Sequence, residues 1–320
     1  MKNKSLFLPY KIVKNKPYYF VCKRADDQSG DIFVPTGTCE INEPQEVCAF
    51  REIKEELGVK HFRNLFNLRI EQTFKTDRNH YFEKAFAFEI ADKIKLQKEE
   101  LSWSEFVPFE EAIKSVKFPF HKEAIQACDK ILKNKSYNKI FTVVGPGGSG
   151  KDSIIIRAIE KDKRLMKIKT YMTREYKSKD DTKLRIHISK RELDDLEKKG
   201  DIIEKNLMVG YWYASSYSQM VNVLASGHDG IINVDINGAK YYQDHFSNIV
   251  TIFISAKTED LIRRLKYRQR DTKEYISKRM QVTKDEIAKS HICDYTIVNE
   301  EGKLDESVDK LLGIITENRE

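Results

Sequence analysis

Apolar residues cluster at Tyr10–Val13 and Tyr18–Cys22 on either side of the polar turn-former Lys14-Asn15-Lys16-Pro17. That pattern predicts two strands joined by a hairpin-like turn. From Pro44 to Leu57 the spacing changes to a helical one, and Gly58 supplies a stop. Further strands are expected at Asn67–Phe74 and Ala85–Ile90, and a helix at about His121–Leu132. The polar run Lys133–Asn138 that follows is the best domain boundary in the chain.

Beyond that boundary the texture differs. Lys139–Val144 is a short apolar strand leading into a glycine-rich loop and a helix, and similar strands recur at Gly230–Asp235, Ile249–Ser255 and Asp294–Val298. Strands alternating with helix-length polar segments predict a parallel sheet of the α/β kind. Ser189 with Glu192 forms a capping-box start for a helix running toward Gly200. Neither an internal repeat nor a low-complexity tract is visible.

The first helix carries candidate chemistry. Glu52, Glu55 and Glu56 stand at i, i+3 and i+4, so three carboxylates share one face. Three anions at that spacing repel one another unless a cation sits between them, and hard oxygen donors suit Mg²⁺ or Mn²⁺. Ala49, Ile53 and Leu57 line the opposite face and would anchor the helix to a sheet. Pro44 suits a first turn, and Gly37 lets the preceding loop turn tightly and approach a phosphate. An ordinary acidic amphipathic helix explains the carboxylates alone, but not Gly37, Glu43, the Arg51-Glu52 pair and Gly58-Val59 together.

The second site is Gly145-Pro146-Gly147-Gly148-Ser149-Gly150-Lys151-Asp152-Ser153, between a predicted strand and a predicted helix. In that context backbone N–H groups cradle phosphates at a helix N-terminus, and Lys151 reaches the β- and γ-phosphates. Asp152 stands where Ser or Thr usually follows the lysine. Either Asp152 binds Mg²⁺ directly or Ser153 supplies the hydroxyl.

Length and composition narrow the class. A chain of 320 residues favours two domains, and 40% hydrophobic residues suffice for two cores. The formal charge of +7 reads as a solvated Lys/Glu surface and is no ground for nucleic-acid binding. Five cysteines (Cys22, Cys39, Cys48, Cys128 and Cys293) with no C-x-x-C spacing argue against a disulfide framework and a zinc site. Cys48 and Cys128 read as small buried hydrophobes. No signal-peptide or membrane-span run occurs, so a reducing cytoplasm and no membrane partner are expected.

Gly37–Val59 resembles the Nudix box at every defined position, apart from Thr36, where a second glycine often stands. Glu105–Ile125 resembles the C-terminal part of Nudix enzymes acting on dinucleoside polyphosphates or nucleoside triphosphates. The resemblance implies a metal-dependent hydrolase of a nucleoside diphosphate linked to another group. Glu52, Glu55 and Glu56 would hold the metal, Glu55 and Glu56 being catalytic, and Arg51 would orient a carboxylate. The general base would be one of these or a loop residue such as Glu99 or Glu100.

From Lys139 to about Ile315 the order of motifs resembles guanylate kinase. Thr173-Arg174 would grip the acceptor phosphate. Gly200–Ser216 resembles the acceptor-site run, with Glu204 reading a base edge, Tyr213 on phosphate and Ser215 on base. Asn233–Gly238 would carry the acceptor-site carboxylate Asp235. Asp260–Met280 resembles a lid whose Arg268 and Arg279 close over the transferring phosphoryl group, and Asp294–Asn299 the last strand and its adenine-side contact. Lys177 replaces the family's second phosphate-binding arginine. Arg185 replaces an acceptor-site tyrosine, either as an extra phosphate ligand or as a surface residue. The phosphate loop also resembles that of ribose 1,5-bisphosphate phosphokinase.

The expectation is therefore two domains of α/β and α+β class. Residues 1–136 would form a Nudix α/β/α sandwich. Residues 137–320 would form a P-loop NTPase fold with a parallel sheet, like a nucleoside monophosphate kinase. Small-molecule nucleotides would be the partners, with Mg²⁺ or Mn²⁺ and ATP as phosphoryl donor, and a purine monophosphate, GMP or dGMP first, as acceptor. Ribose 1,5-bisphosphate is the alternative acceptor, favoured by Asp152 and opposed by Glu204 and Asp235. A third reading makes the second half a non-catalytic binding module, as in scaffold proteins. Lys151 and both lid arginines oppose it. One product would feed the other site if the two activities are coupled.

Overall fold

The computed structural model describes residues 1–26, 28–59, 61–77, 79–91, 94–95, 101–176, 178–208, 210–267, 283–284 and 286–319. The chain divides into two compact units, Met1–Tyr137 with Leu224–Gly227, and Asn138–Val223 with His228–Glu320. No helix among the described residues is long and apolar enough to cross a membrane.

In chain order the first unit contains β1 (Lys2–Val13), β2 (Lys16–Arg24), β3 (Thr36–Thr38), α1 (Gln45–Leu57), β4 (Phe62–Lys75), β5 (His80–Ile90), β6 (Leu101–Pro108), α2 (Phe109–Ser115) and α3 (Pro119–Lys133). The β1–β2 turn is tighter than expected. Lys14 and Asn15 adopt positive φ (48° and 62°), as a two-residue hairpin turn requires. Pro17 lies inside β2, opposite Ile12. The sheet order is β4-β5-β1-β2-β6 with β3 on β1, and β1 with β5 is its parallel pair.

Alternation along β1 and β5 divides the core. Leu6, Leu8, Tyr10, Ala85 and Ala87 pack with Ala124, Ile125 and Cys128 of α3. The intervening Phe88 meets Phe62, which stacks edge-on against Phe50 of α1. The sheet is thus covered on both faces, giving α/β/α layers. Ala49, Ile53 and Leu57 are fully buried. Pro44 is the N-cap rather than a first-turn residue, and Gly58 closes α1 in the left-handed conformation at φ 61°.

The second unit contains β7 (Ile140–Val144), α4 (Lys151–Lys161), β8 (Leu165–Lys167), β9 (Thr170–Met172), α5 (Lys179–Leu184), β10 (Arg185–His187), α6 (Lys190–Lys198), β11 (Ile202–Met208), β12 (Tyr211–Ser216), α7 (Tyr217–Ala225), β13 (Asp229–Asn233), α8 (Ile236–His245), β14 (Ile249–Ser255), α9 (Thr258–Tyr267), β15 (Tyr295–Val298) and α10 (Leu304–Glu317). Five parallel strands run in the order β15-β14-β7-β13-β8. All five residues of the central β7 are buried, and all but Thr142 are apolar. The capping box of Ser189 and Glu192 closes as its spacing predicts. A second sheet, β10-β9-β12-β11, was not expected from strand signals, and two of its members, β9 and β10, are only three residues long.

Candidate active sites

In the first unit β3 and α1 carry the carboxylate site. Arg51 is its organiser. Its Nε and Nη2 donate to the two oxygens of Glu43, both at 2.9 Å. Its Nη1 donates to Glu52 at 3.0 Å and to Glu55 at 2.9 Å, and Nη2 reaches the Thr38 carbonyl at 3.2 Å. One guanidinium therefore joins three carboxylates and the loop, a charge-assisted geometry that lysine lacks. Burial alone would raise the Glu43 carboxyl, but hydrogen bonds from Arg51 and from the Glu40 backbone outweigh it, and Glu43 lies below the ordinary range.

Glu56 is buried and Glu55 mostly exposed, so the shared face runs from the core edge to solvent. Gly37 stands against Glu52: a Cβ there would collide with the glutamate's Cγ and Cδ. Thr36, where a glycine was the family expectation, accepts a hydrogen bond from Lys4 Nζ at 2.8 Å. Burial lowers the Lys4 ammonium, against the pull of Glu83, Glu56 and Glu52. His121 is a packing residue. Its Nδ1 accepts from the Val34 N–H at 3.0 Å, and burial, with Lys4 and Arg24 near, pulls it down to about 3. Glu99 and Glu100 lie outside the described residues.

An all-oxygen, anionic donor set at i, i+3 and i+4 fits a hard divalent cation. The bare Cα at Gly37 leaves Glu52 the room to take part.

In the second unit a cavity of about 620 Å³ is lined by Gly145, Gly147, Gly148, Gly150, Lys151, Asp152 and Ser153 on one side. Arg174, Arg185, Glu204, Tyr213 and Asp235 line the other. The glycines are required by geometry. Gly145 (φ 138°) abuts the Ile254 carbonyl and Gly150 (φ 91°) abuts Asn299 Nδ2, leaving no space for a Cβ at either. Gly150 caps α4 without a side-chain hydrogen bond, so the first N–H groups of the helix face the cavity. Ser149 lies buried beneath it, and its Oγ has no partner among the described residues. Lys151 Nζ donates to the Gly145 and Pro146 carbonyls. Uncapped N–H groups and a lysine at one glycine loop fit the phosphates of a nucleotide.

Asp152 does not point free. It accepts from Arg185 Nη2 and from Asn233 Nδ2 at 3.2 Å. Arg185 is not a surface residue: its side chain is 12% exposed, and Nη1 also meets Asp181 at 3.1 Å. Arg174 meets the same Asp181 at 3.2 Å and donates to Tyr213 Oη at 3.2 Å. Nearby, burial first and Arg185 second push the Lys167 ammonium well down.

A β-bulge between Ile202 and Glu204 sets Glu204 opposite Ser215, and bulges of this kind re-aim a side chain. Ser215 Oγ donates to Glu204 at 2.8 Å. Burial, with Asp235 close by, pushes Glu204 up to about 7 against the Ser215 hydrogen bond. Asp235 caps α8 through the Gly238 N–H at 2.7 Å and also accepts from Asn206.

Several participants gave no sequence signal. Asp181 and Asn233 are ordinary polar residues until the fold sets them on Arg174 and Asp152. Arg264 Nη1 donates to the Gly148 carbonyl at 3.2 Å, and only its place four residues before Arg268 hinted at it. Arg268, Arg279 and Lys177 lie outside the described residues.

Comparison with known proteins follows the same division. Residues 137–318 match the sequence model described as guanylate kinase, and residues 12–128 match the NUDIX domain. The guanylate kinase of Chromobacterium violaceum is 28% identical over 170 residues, covering 52% of this chain and 81% of the relative. That of Vibrio parahaemolyticus is 31% identical over 166 residues, covering 51% and 80%. Among solved structures, a guanylate kinase from Anaplasma phagocytophilum aligns at a TM-score of 0.47 and 22% identity, covering 57% of this chain and 87% of its own. A C. elegans Ap4A hydrolase in a binary complex aligns at 0.38 and 16%, covering 42% and 99%.

Proposed function

Because the chain belongs to the guanylate kinase family and carries a NUDIX domain ahead of its kinase domain, we propose a bifunctional nucleotide enzyme. Its first site hydrolyses a nucleoside polyphosphate, and its second transfers a phosphoryl group from ATP to a purine nucleoside monophosphate, GMP or dGMP first.

The observation that carries the kinase half is the corner of the cavity where Ser215 donates to Glu204 beside Asp235. An ionised Glu204 accepts two N–H donors from a guanine edge. A sugar phosphate has no such edge, and beside it the partly buried Glu204 would have Ser215 as a donor but none from the acceptor. Arg174 with Tyr213, and Arg185 beyond Asp181, provide cationic and hydroxyl groups for the acceptor phosphate. The glycine loop and Lys151 hold the donor phosphates. An acceptor phosphate oxygen then attacks the γ-phosphorus, the bridging bond breaks, and ADP leaves.

In the hydrolase half, Glu52, Glu55 and Glu56 are the ligands for a divalent cation, and Arg51 fixes two of them while Glu43 fixes Arg51. Ser153 or Asp152 serves the kinase cation. When bound, such a cation polarises the phosphate and lowers the pKa of its water. The protein's own part is to hold the carboxylates in register.

The test is purified protein with ATP and Mg²⁺ against a panel of NMPs, dNMPs and ribose 1,5-bisphosphate, with Lys151→Ala as control. Lys151-dependent ADP formation with GMP or dGMP is expected. Turnover with ribose 1,5-bisphosphate alone would overturn the acceptor reading. Nucleoside polyphosphates and dinucleoside polyphosphates, with Glu56→Gln as control, test the hydrolase.

A further inference from the structure

The spacing of Cys39 and Cys48 gives no motif, yet the fold sets their sulfurs, with a Glu43 oxygen, within 4.8 Å of one another. Cys39 follows β3 and is half-buried, whereas Cys48 is fully buried in the second turn of α1. Cys39 Sγ also lies 3.6 Å from Ser5 Oγ. Cys48 Sγ lies 3.8 Å from the Gly37 carbonyl and 3.8 Å from Arg51 Nη2. Both Glu43 oxygens are taken by Arg51, so the thiols are left as a pair rather than as part of a three-ligand metal site.

We propose that Cys39 and Cys48 are a peroxide-sensitive thiol pair whose disulfide turns down the adjacent carboxylate site. The regulatory consequence rests on the hydrolase reading above, whereas the bridge itself does not.

The roles follow from access and acidity. Cys39 is the reachable sulfur, and the hydrogen bond from Cys48 lowers its thiol despite burial. Burial pushes Cys22 and Cys128 well up and Cys293 up to about 11. Sensor cysteines are accessible, acidic and next to a resolving thiol.

The Cys39 thiolate attacks one oxygen of hydrogen peroxide. The O–O bond breaks, hydroxide leaves and takes up a proton as water, and Cys39 becomes a sulfenic acid. The Cys48 sulfur then attacks the Cys39 sulfur, the S–O bond breaks, and a second water leaves with the Cys48 proton. Two thiols and one peroxide thus give one disulfide and two waters. To bond, the Cys48 sulfur must turn away from the Gly37 carbonyl and Arg51. Arg51 holds Glu52 and Glu55, and Gly37 lies directly against the Glu52 side chain.

The test uses the reduced full-length protein, titrated with hydrogen peroxide and quenched with catalase. Non-reducing peptide mapping, alkylation counts and both activities are then read. The expected result is a mapped Cys39–Cys48 bridge with loss of two alkylatable thiols. Hydrolysis should fall about tenfold, the scale on which supporting contacts act on a metal site, and return with dithiothreitol while kinase activity persists. Cys48→Ser should leave Cys39 as a sulfenic acid captured by dimedone, and Cys39→Ser should leave neither bridge nor adduct at Cys48. Oxidation at Cys293 with the pair still reduced would overturn the proposal. A mapped bridge with unchanged hydrolysis would overturn its regulatory part. If the reduced protein hydrolyses no polyphosphate offered, that failure belongs to the hydrolase reading. The peptide map then decides alone: a bridge supports the thiol pair, and its absence overturns it.

Discussion

Arg185 Nη2 donates to both carboxylate oxygens of Asp152, at 3.1 and 3.0 Å. The residue after the phosphate-loop lysine is thereby tied to the start of β10. Two departures from the family pattern, an acid where a hydroxyl is usual and an arginine where a tyrosine is usual, are one interaction in space.

Removing Asp152 leaves the largely buried Arg185 with Asp181 as its remaining carboxylate, and removing Arg185 leaves Asp152 with the Asn233 amide but no cation. Arg185→Ala and Asp152→Ala should each destabilise the protein, and the double variant should cost less than the two together. A double-mutant cycle on chemical denaturation should give a coupling of about 1 kcal/mol, kept small because Asp152 is 40% exposed. Arg185→Ala should also raise the acceptor KM about tenfold, by losing a charge-assisted phosphate contact. Strictly additive stabilities would show that the pair is incidental.

Arg51→Lys keeps the charge and loses the fork that holds Glu43, Glu52 and Glu55. Hydrolysis should fall about 10- to 100-fold, with kinase activity unchanged. Parallel assays of the two activities on one preparation check this. An equal fall in both would point to general unfolding.

Gly37→Ala introduces a Cβ where Glu52 now lies. The obstacle is a flexible side chain, so the fold should persist and Glu52 should rotate away. The expected outcome is about tenfold weaker Mn²⁺ binding, read by titration, beside a melting temperature close to wild type. Unaltered Mn²⁺ affinity would remove Glu52 from the ligand set.

Glu204 supplies a pH dependence. Its carboxyl sits at about 7 in the folded chain against an ordinary 4.5, chiefly through burial. Between those values the folded state binds a proton that the unfolded state does not, so this group's contribution to stability falls as pH rises from 4.5 to 7. Glu204→Gln should therefore be more stable than wild type at alkaline pH, by up to about 2 kcal/mol, and nearly equal at acid pH. Binding runs the opposite way. Wild-type KM for GMP should fall as pH rises through about 7, because only the ionised carboxylate accepts both guanine N–H donors. A KM independent of pH across that range would exclude Glu204 from base recognition.

Features fixed by neighbours in the chain were legible in the sequence itself. The α1 stripe of Ala49, Ile53 and Leu57, the Gly58 stop, the Ser189–Glu192 capping box and the apolar strand β7 all follow from periodicity and local hydrogen bonding. The phosphate loop was legible for the same reason, since its lysine and glycines act within nine consecutive residues. Tertiary structure alone decided everything that depends on residues distant in the chain. It made Pro17 a strand residue, because the hairpin turn closes on Lys14 and Asn15 alone. It built the sheet β10-β9-β12-β11, in which β9 and β10, three residues each, are too short to give a signal by themselves. It also turned Arg185 inward, put Asp181 between two arginines and brought Cys39 to Cys48. Local propensity acts over a few residues, whereas a charge pair or a thiol pair needs a particular distance between side chains. That distance is set by strand register and helix packing, and neither is written in any short stretch of sequence.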